Sequence, residues 1–192
     1  NHMQLFELIV KLSSVLHGTS IKLGYHKEYL FFQNLQKTYC SEDYEITRSF
    51  SVNINLKDRK RHIIDVFIQN KRDKIIYCLN IKGKATNFNL PPSTQEFFLE
   101  SVIKNVEKKF PGYNVTYIFV KEGFKSDHYF DKIKTFSNVK VVNFDEFKEF
   151  FKTSPPNDFQ IKTFFFDTLK ANLIKSGFDL KMIVKISSET LK

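Results

Sequence analysis

Apolar residues recur at helical spacing in two stretches at the start of the chain. The first stretch runs from Gln4 to Leu16 and stops at His17-Gly18-Thr19, and the second runs from Gly24 to Tyr39. This spacing places the apolar side chains on one side of a helix. We therefore predict two amphipathic helices. Glu28 shares a side of the second helix with Phe32 and is expected to point towards protein.

From Tyr44 the pattern changes to an alternation of apolar and polar residues, which is typical of half-buried strands. Two further runs, rich in β-branched residues, follow at Arg61–Gln69 and Lys74–Lys82 after short polar turns. Three runs joined in this way predict an antiparallel meander. The rest of the chain predicts alternating helices and strands: a helix opened by a capping box at Ser93–Glu96, a strand at Tyr113–Val120, a helix at Asp127–Phe136, a strand at Val139–Val142, a helix opened at Asn143, and a helix at Phe159–Ser176.

This order of elements predicts an α/β fold with a mixed β-sheet flanked by α-helices. The chain has 192 residues, of which 42% are hydrophobic, and this size and composition suit one main core. We expect an α/β domain over residues 4–153. A break at Pro155-Pro156 separates it from a helical C-terminal appendage, residues 157–192, which is expected to pack on the same domain.

The charge of the chain is strongly basic and unevenly distributed. The formal net charge is +9, with 26 lysines and only four arginines, and residues 57–84 carry nine basic and three acidic residues, a net +6. Such a concentration is expected where an anionic polymer approaches, and a solvated, charged β-turn is the alternative. We expect nucleic acid as the partner, contacted by Arg59, Lys60, Arg61, Lys84 and Asn87.

No apolar run approaches the roughly 18 residues of a membrane span, and no signal-peptide pattern is visible. We therefore expect an intracellular, cytoplasmic protein without membrane association. The chain also lacks a phosphate-binding glycine loop, a dinucleotide fingerprint and a nucleophile-elbow motif. Nucleotide hydrolysis, dinucleotide redox chemistry and serine hydrolysis are therefore not expected.

The predicted hairpin contains a candidate site. Asp65 interrupts the apolar run His62–Ile68, and Asn80 and Lys82 lie two residues apart, hence on one face of the next strand. If the strands pair in register, a carboxylate, an amide oxygen and an ammonium converge. Such a group can hold Mg²⁺ or Mn²⁺ while the lysine orients or deprotonates a water molecule. The alternative is a plain salt bridge between Asp65 and Lys82.

These residues resemble the PD-(D/E)xK nuclease superfamily, which includes many restriction endonucleases. The matching positions are Asp65 in Ile63–Val66 and Lys82 in Asn80-Ile81-Lys82. The resemblance implies a restriction-endonuclease-like fold and an Mg²⁺- or Mn²⁺-dependent endonuclease, with DNA favoured over RNA. Asp65, Asn80 and the Ile81 carbonyl would hold the metal, Lys82 would position the attacking water, and Glu28 would join them from its helix.

The second acidic position of the motif is Asn80, and a neutral amide is a poorer ligand for a hard cation than a carboxylate. Three explanations remain open: a deliberate inactivating Asp→Asn replacement, a natural variant in which Glu28 or another carboxylate compensates, and a catalytically dead relative retained for binding. For Glu28 the alternative is a surface carboxylate paired with a lysine. A non-catalytic nucleic-acid-binding or scaffold subunit is therefore the alternative function. A homodimer or larger complex, formed through the Phe-rich C-terminal helix, is a further expectation.

Overall fold

The computed structural model describes residues 2–56, 59–83, 92–122, 128–179 and 181. The chain divides into two compact units, one made of residues 1–27 and 156–192 and the other of residues 28–155. The helices and strands, in chain order, are α1 (His2–Thr38), β1 (Tyr44–Leu56), β2 (Arg59–Asn70), β3 (Ile75–Lys82), α2 (Pro92–Lys109), β4 (Asn114–Lys121), α3 (His128–Ile133), β5 (Val139–Asn143), α4 (Phe144–Phe151) and α5 (Asp158–Lys175).

The larger unit is built on a five-stranded sheet with the order β1-β2-β3-β4-β5. The first three strands pair antiparallel, as the meander predicts, whereas β3, β4 and β5 pair parallel. Parallel neighbours require a crossover, and α2 supplies it between β3 and β4. The predicted α/β class, a mixed sheet flanked by helices with a C-terminal helix, is confirmed.

Each face of this sheet carries its own hydrophobic cluster. The first cluster packs α2, through residues such as Leu99 and Val102, against Cys78 and Tyr117 of the sheet. The second cluster packs α1 and α4 against the opposite face; its buried members are Phe31, Leu35, Val66, Ile68, Leu79, Ile118, Val120, Val142, Phe147 and Phe151. The central strand β3 is therefore covered on both faces, and from Ile75 to Leu79 it is paired on both edges.

The prediction of two N-terminal helices is wrong, because a single helix, α1, runs from His2 to Thr38. Gly18 lies inside it, and a helical glycine costs only about 1 kcal/mol relative to alanine. Thr19 is buried, and its hydroxyl donates to the Val15 carbonyl at 2.7 Å, so it continues the helix. Local breaking signals are therefore outweighed by tertiary packing.

Smaller differences concern helix ends. Helix α2 begins at Pro92, so Ser93 already lies inside it and does not act as the predicted cap. Helix α3 covers only His128–Ile133 of the predicted span. Beyond Asp179, the predicted C-terminal appendage lies outside the described residues except for Lys181.

In the smaller unit, the first half of α1 packs with α5 through Val15 and Leu173. Asn172 reinforces the packing by donating to the Thr19 hydroxyl at 3.0 Å. The sequence pattern instead assigned residues 4–27 to the α/β domain, and the packing of residues 157–192 on that domain stays a prediction. The homodimer is predicted to form through the Phe-rich helix α5, on which Phe159 is 78% exposed. The homodimer itself stays a prediction. None of the helices in the described part of the chain has the length and apolar character of a membrane span.

Strands β1 and β2 change faces at one level of the sheet. Side chains two residues apart on a strand normally share a face, yet Ile64 belongs to the first cluster and Val66 to the second. On β1, Phe50 packs on the first cluster and Ile46 on the second. The pairs Arg48–Val66 and Phe50–Ile64 bracket Ser49, whose φ of 55° is left-handed, and Asp65. Both strands therefore kink where Asp65 lies.

This kink generates a stability prediction. Replacing Ser49 with glycine removes the cost of a left-handed side chain, so we expect Ser49→Gly to raise the free energy of unfolding by about 0.5 kcal/mol. Ser51 is the matched control because it is also an exposed serine of β1, paired with Ile63. Ser51→Gly is expected to lower the free energy by about 1 kcal/mol. Urea unfolding measures both, and equal losses in the two variants would contradict the assignment of strain to Ser49.

Candidate functional site

Asp65 lies where β2 and β3 separate. The paired residues of these strands end at Val66 and Leu79. Beyond that point the Ile81 N–H donates to Asp65 Oδ2 at 2.8 Å instead of to a backbone carbonyl of β2. The carboxylate thus satisfies a backbone donor that the ladder leaves over, and this bond ties Asp65 to the strand that carries the other candidate residues.

Asn80 is the next residue of β3 after the last pair and therefore neighbours Asp65. It is buried, with 8% of its surface exposed, and its Nδ2 donates to the Tyr117 hydroxyl at 3.1 Å. Its Oδ1 is also buried and has no hydrogen-bond partner among the described residues. A buried acceptor without a partner carries a desolvation cost, so this oxygen is suited to a ligand that the protein alone does not supply.

Lys82 follows two residues later, at the end of β3. It is half-buried, and it stands in register with Lys121 of β4, which is buried although it is a lysine. Burial lowers the pKa of Lys82, while the charges of Asp65 and Glu28 act in the opposite direction. The ammonium is therefore easier to deprotonate than that of an ordinary lysine, and it senses both carboxylates.

Glu28 reaches the same group from α1. Burial, and after it the charge of Asp65, raise the pKa of Glu28 to about 7, although Arg48 and Lys82 act to lower it. The pKa of Asp65 is also raised, chiefly by burial, against the opposing effects of the Ile81 N–H, Lys82 and Arg48. Two carboxyls and a lysine thus perturb one another in one partly desolvated place, an arrangement that is common at functional sites.

The other predicted site residues lie either at the site, on the exposed surface of β2 or outside the described residues. Ile81 enters the site through its N–H, and its carbonyl as a metal ligand stays a prediction. Lys60 and Arg61 are exposed on β2. The side chain of Arg59 and all of Lys84 and Asn87 lie outside the described residues.

Sequence reasoning missed Arg48 and Tyr117. Arg48 acts on the pKa of Glu28 and of Asp65, and its guanidinium lies 5.3 Å from the centre of the Tyr29 ring. An arginine placed between Ile46 and Phe50 on an alternating strand was the available signal. For Tyr117, the signal was a hydroxyl within an apolar run, since a buried tyrosine hydroxyl usually finds a partner.

The donor set fits a hard cation held by few protein ligands. No three His, Cys, Asp or Glu side chains form a metal-binding group within the described ranges. The two carboxylates of Glu28 and Asp65 and the partnerless Asn80 Oδ1 are nevertheless all oxygen donors. Mg²⁺ is characteristically bound through one or two carboxylates, with water and substrate phosphate completing its shell.

Comparisons with known proteins give little for this chain. No protein-family model and no curated protein matches it. Among solved structures, a protein of unknown function, AF1548, is 15% identical, with a TM-score of 0.40 over 83% of this chain and 95% of the other. The small subunit of the heterodimeric restriction endonuclease R.BspD6I is 13% identical, with a TM-score of 0.39 over 94% of this chain and 100% of that subunit. At these scores, neither similarity supports a conclusion about function.

The raised pKa of Glu28 predicts how stability depends on pH. Its folded-state pKa of about 7 exceeds the ordinary value of 4.5, so the folded protein binds this proton more tightly than the unfolded chain. Glu28 therefore contributes stability that is fully present below about pH 4.5 and is lost as the pH rises through about 7. We expect Glu28→Gln, which cannot ionise, to be more stable than the wild type at pH 8 and to show a shallower decline between these values.

Urea unfolding at a series of pH values measures this dependence. Glu42→Gln serves as the control because Glu42 is an exposed glutamate in the connection between α1 and β1. It should leave the pH profile unchanged. If the two variants alter the profile equally, the coupling of Glu28 to the buried site is refuted.

Proposed function

We propose that the protein is a divalent-metal-dependent endonuclease that hydrolyses phosphodiester bonds in nucleic acid. The observation that carries this proposal is the mutual perturbation of Glu28, Asp65 and Lys82 beside a buried Asn80 oxygen that has no partner among the described residues. DNA is favoured over RNA only through the resemblance to the PD-(D/E)xK superfamily.

The proposed cofactor is Mg²⁺ or Mn²⁺, held by Asp65, Glu28 and Asn80 Oδ1, with the Ile81 carbonyl as a further candidate ligand. A metal bound there would neutralise developing charge on the phosphate and lower the pKa of a bound water. The raised carboxyl pKa values support this assignment, because a nearby cation would offset the burial of both carboxylates and the repulsion that Asp65 exerts on Glu28.

Asp65, Lys82 and Glu28 would each have a separate role in the proposed reaction. Asp65 is held in place by the Ile81 N–H, so its other oxygen has a defined direction. Lys82, with its lowered pKa, would orient the attacking water and accept its proton. The water oxygen forms a bond to phosphorus as the bond from phosphorus to the leaving sugar oxygen breaks. Glu28, whose pKa is about 7 before a cation binds, would lose its proton on binding the cation, so metal binding would release a proton near neutral pH.

Substrate binding would rest on the basic hairpin. Lys60 and Arg61 are exposed on β2, and residues 57–84 carry a net charge of +6. Lysines bind phosphate as point charges and do not read bases in the bidentate manner of arginine, so backbone contacts would dominate. The partner is therefore proposed to be nucleic acid, with the remaining expected contacts at Arg59, Lys84 and Asn87.

A second candidate function is a non-catalytic nucleic-acid-binding subunit on the same scaffold. The observation that favours it is Asn80 itself, whose neutral side chain is built into a buried hydrogen bond with Tyr117. The three explanations for an asparagine at position 80 (a deliberate replacement, a compensated natural variant and a catalytically dead relative) remain open under both functions. They differ in how Asn80→Asp would change the cleavage activity.

A cleavage assay tests the first function. We expect Asn80→Asp to raise Mg²⁺- or Mn²⁺-dependent cleavage of DNA above that of the wild type, and EDTA to abolish it. Adding Lys82→Ala to this variant should lower the rate about 10²- to 10⁴-fold, the usual contribution of a positioned proton acceptor. Lys104→Ala, which changes an exposed lysine of α2, should leave the rate unchanged. If neither Asn80→Asp nor Asn80→Glu cleaves duplex DNA, single-stranded DNA or RNA, the binding subunit becomes the better account.

Salt-dependent binding tests the proposed interface for either function. We expect the double variant Lys60→Ala/Arg61→Ala to weaken binding to duplex DNA and to reduce the slope of log affinity against log salt by about 2, because about one counterion is released per phosphate contact. Lys104→Ala/Lys108→Ala, on exposed positions of α2, is the matched control. Equal losses for the two double variants would show that only net charge matters and would remove the assignment to β2.

A further inference from the structure

The Tyr117 hydroxyl lies between two polar side chains of neighbouring strands. It is 3.0 Å from His62 Nε2 of β2 and 3.1 Å from Asn80 Nδ2 of β3. Tyr117 itself is only 1% exposed, in the cluster between the sheet and α2. The three side chains therefore form a short hydrogen-bonded chain that ends at the proposed metal site.

The donor and acceptor capacities of these groups give the chain a direction. An amide nitrogen only donates, so the Tyr117 oxygen accepts from Asn80. The direction of the bond between Tyr117 and His62 depends on the tautomer of the imidazole. We assign the tautomer with the ring proton on Nδ1, in which Nε2 accepts the hydroxyl proton of Tyr117.

The hydrogen bond from Asn80 Nδ2 to Tyr117 fixes the position of the amide oxygen, Asn80 Oδ1. With Nδ2 held by Tyr117, Oδ1 occupies the opposite branch of the side chain, where it is buried without a hydrogen-bond partner among the described residues. A reversed amide would give Oδ1 to the Tyr117 hydroxyl and leave the NH₂ group in its place. An NH₂ group cannot ligate a cation, so the orientation decides whether Asn80 is usable as a ligand.

We propose that Tyr117, held by His62, is the positioning residue that fixes the Asn80 amide with its oxygen available to the metal. This inference rests on the proposed function for its purpose, whereas the amide orientation is a property of the protein alone. The surrounding rings restrict the chain of bonds: Phe98 meets the His62 ring edge-on with centroids 5.0 Å apart, and Phe119 packs on Tyr117 at 5.1 Å.

The proposal has a signature that a purely structural role lacks. A carboxylate at position 80 presents an oxygen in either orientation, so it does not need Tyr117 to choose between its ends. Loss of the Tyr117 hydroxyl should therefore weaken metal binding when residue 80 is Asn and matter little when it is replaced by Asp.

The first measurement is the NMR signal of the Asn80 side-chain amide, which requires no metal. We expect Tyr117→Phe to shift this signal and to accelerate its hydrogen exchange. The control is Tyr113→Phe, since Tyr113 accepts from Gln69 Nε2 at 2.9 Å in a comparable pair. It should alter the Gln69 amide and leave Asn80 unchanged. An Asn80 signal that is unaffected by Tyr117→Phe overturns the inference.

His62→Phe supplies a second variant if Tyr117→Phe does not fold. It keeps the tyrosine but removes the acceptor of its proton, so the hydroxyl should turn to Asn80 Oδ1 and reverse the amide. The Asn80 NH₂ signal should then lose its hydrogen-bond shift. An unchanged signal in this variant also overturns the inference.

The second measurement is Mn²⁺ affinity in the wild type, Tyr117→Phe, Asn80→Asp and the double variant. Tyr117→Phe should weaken binding about tenfold or more in the wild-type background, as loss of a group that orients a metal ligand does, and should have little effect in the Asn80→Asp background. Equal losses in both backgrounds overturn the positioning role. If no variant binds Mn²⁺ while the Asn80 signal responds to Tyr117→Phe, the metal site of the proposed function fails and the orientation of Asn80 by Tyr117 stands.

Discussion

The hydrogen bond from the Ile81 N–H to Asp65 Oδ2 is the contact on which the candidate site depends. It forms because β2 and β3 part after Val66 and Leu79, which leaves a backbone donor that a side chain must satisfy. The same parting coincides with the kink at Ser49 and Asp65, where two strands exchange faces. A local failure of regular pairing thus places a carboxylate against the strand that carries Asn80 and Lys82.

Desolvation determines the direction in which the pKa values of the site residues are shifted. Burial is the largest influence on the pKa of Glu28, of Asp65 and of Lys82, and it disfavours the charged form of each. The opposite charges of the lysine and the carboxyls offset part of this cost, yet each group remains easier to neutralise than its exposed counterpart. Such a cluster is a poor contributor to stability and a good candidate for exchanging protons or binding a cation.

Sequence patterns predicted those parts of the fold that depend on short-range order. The three strands from Tyr44 follow from their alternation, and Asn143 opens α4 as expected, with its side chain accepting from the Glu146 N–H at 2.8 Å. The convergence of Asp65, Asn80 and Lys82 was expected from in-register pairing, whereas the pairing of β2 and β3 ends at Val66 and Leu79 and the Ile81 N–H bond ties Asp65 to β3. The continuity of α1 through Gly18 did not follow, because the packing of Val15 and Thr19 decides it. The kink left no signal in the pattern, and the signals at Arg48 and Tyr117 did not reveal their partners, since each contribution depends on residues distant in sequence.

The central place of β3 has a consequence for motion. Amides of a strand that is bonded on both edges and covered on both faces exchange with solvent only through the largest openings of the protein. Asn80 and Lys82 lie beyond Leu79, the last residue of β3 that pairs with β2, and pair only with Phe119 and Lys121 of β4. The candidate site therefore lies at the end of β3 that is paired on one edge, where smaller openings than those of the middle of the strand expose the backbone.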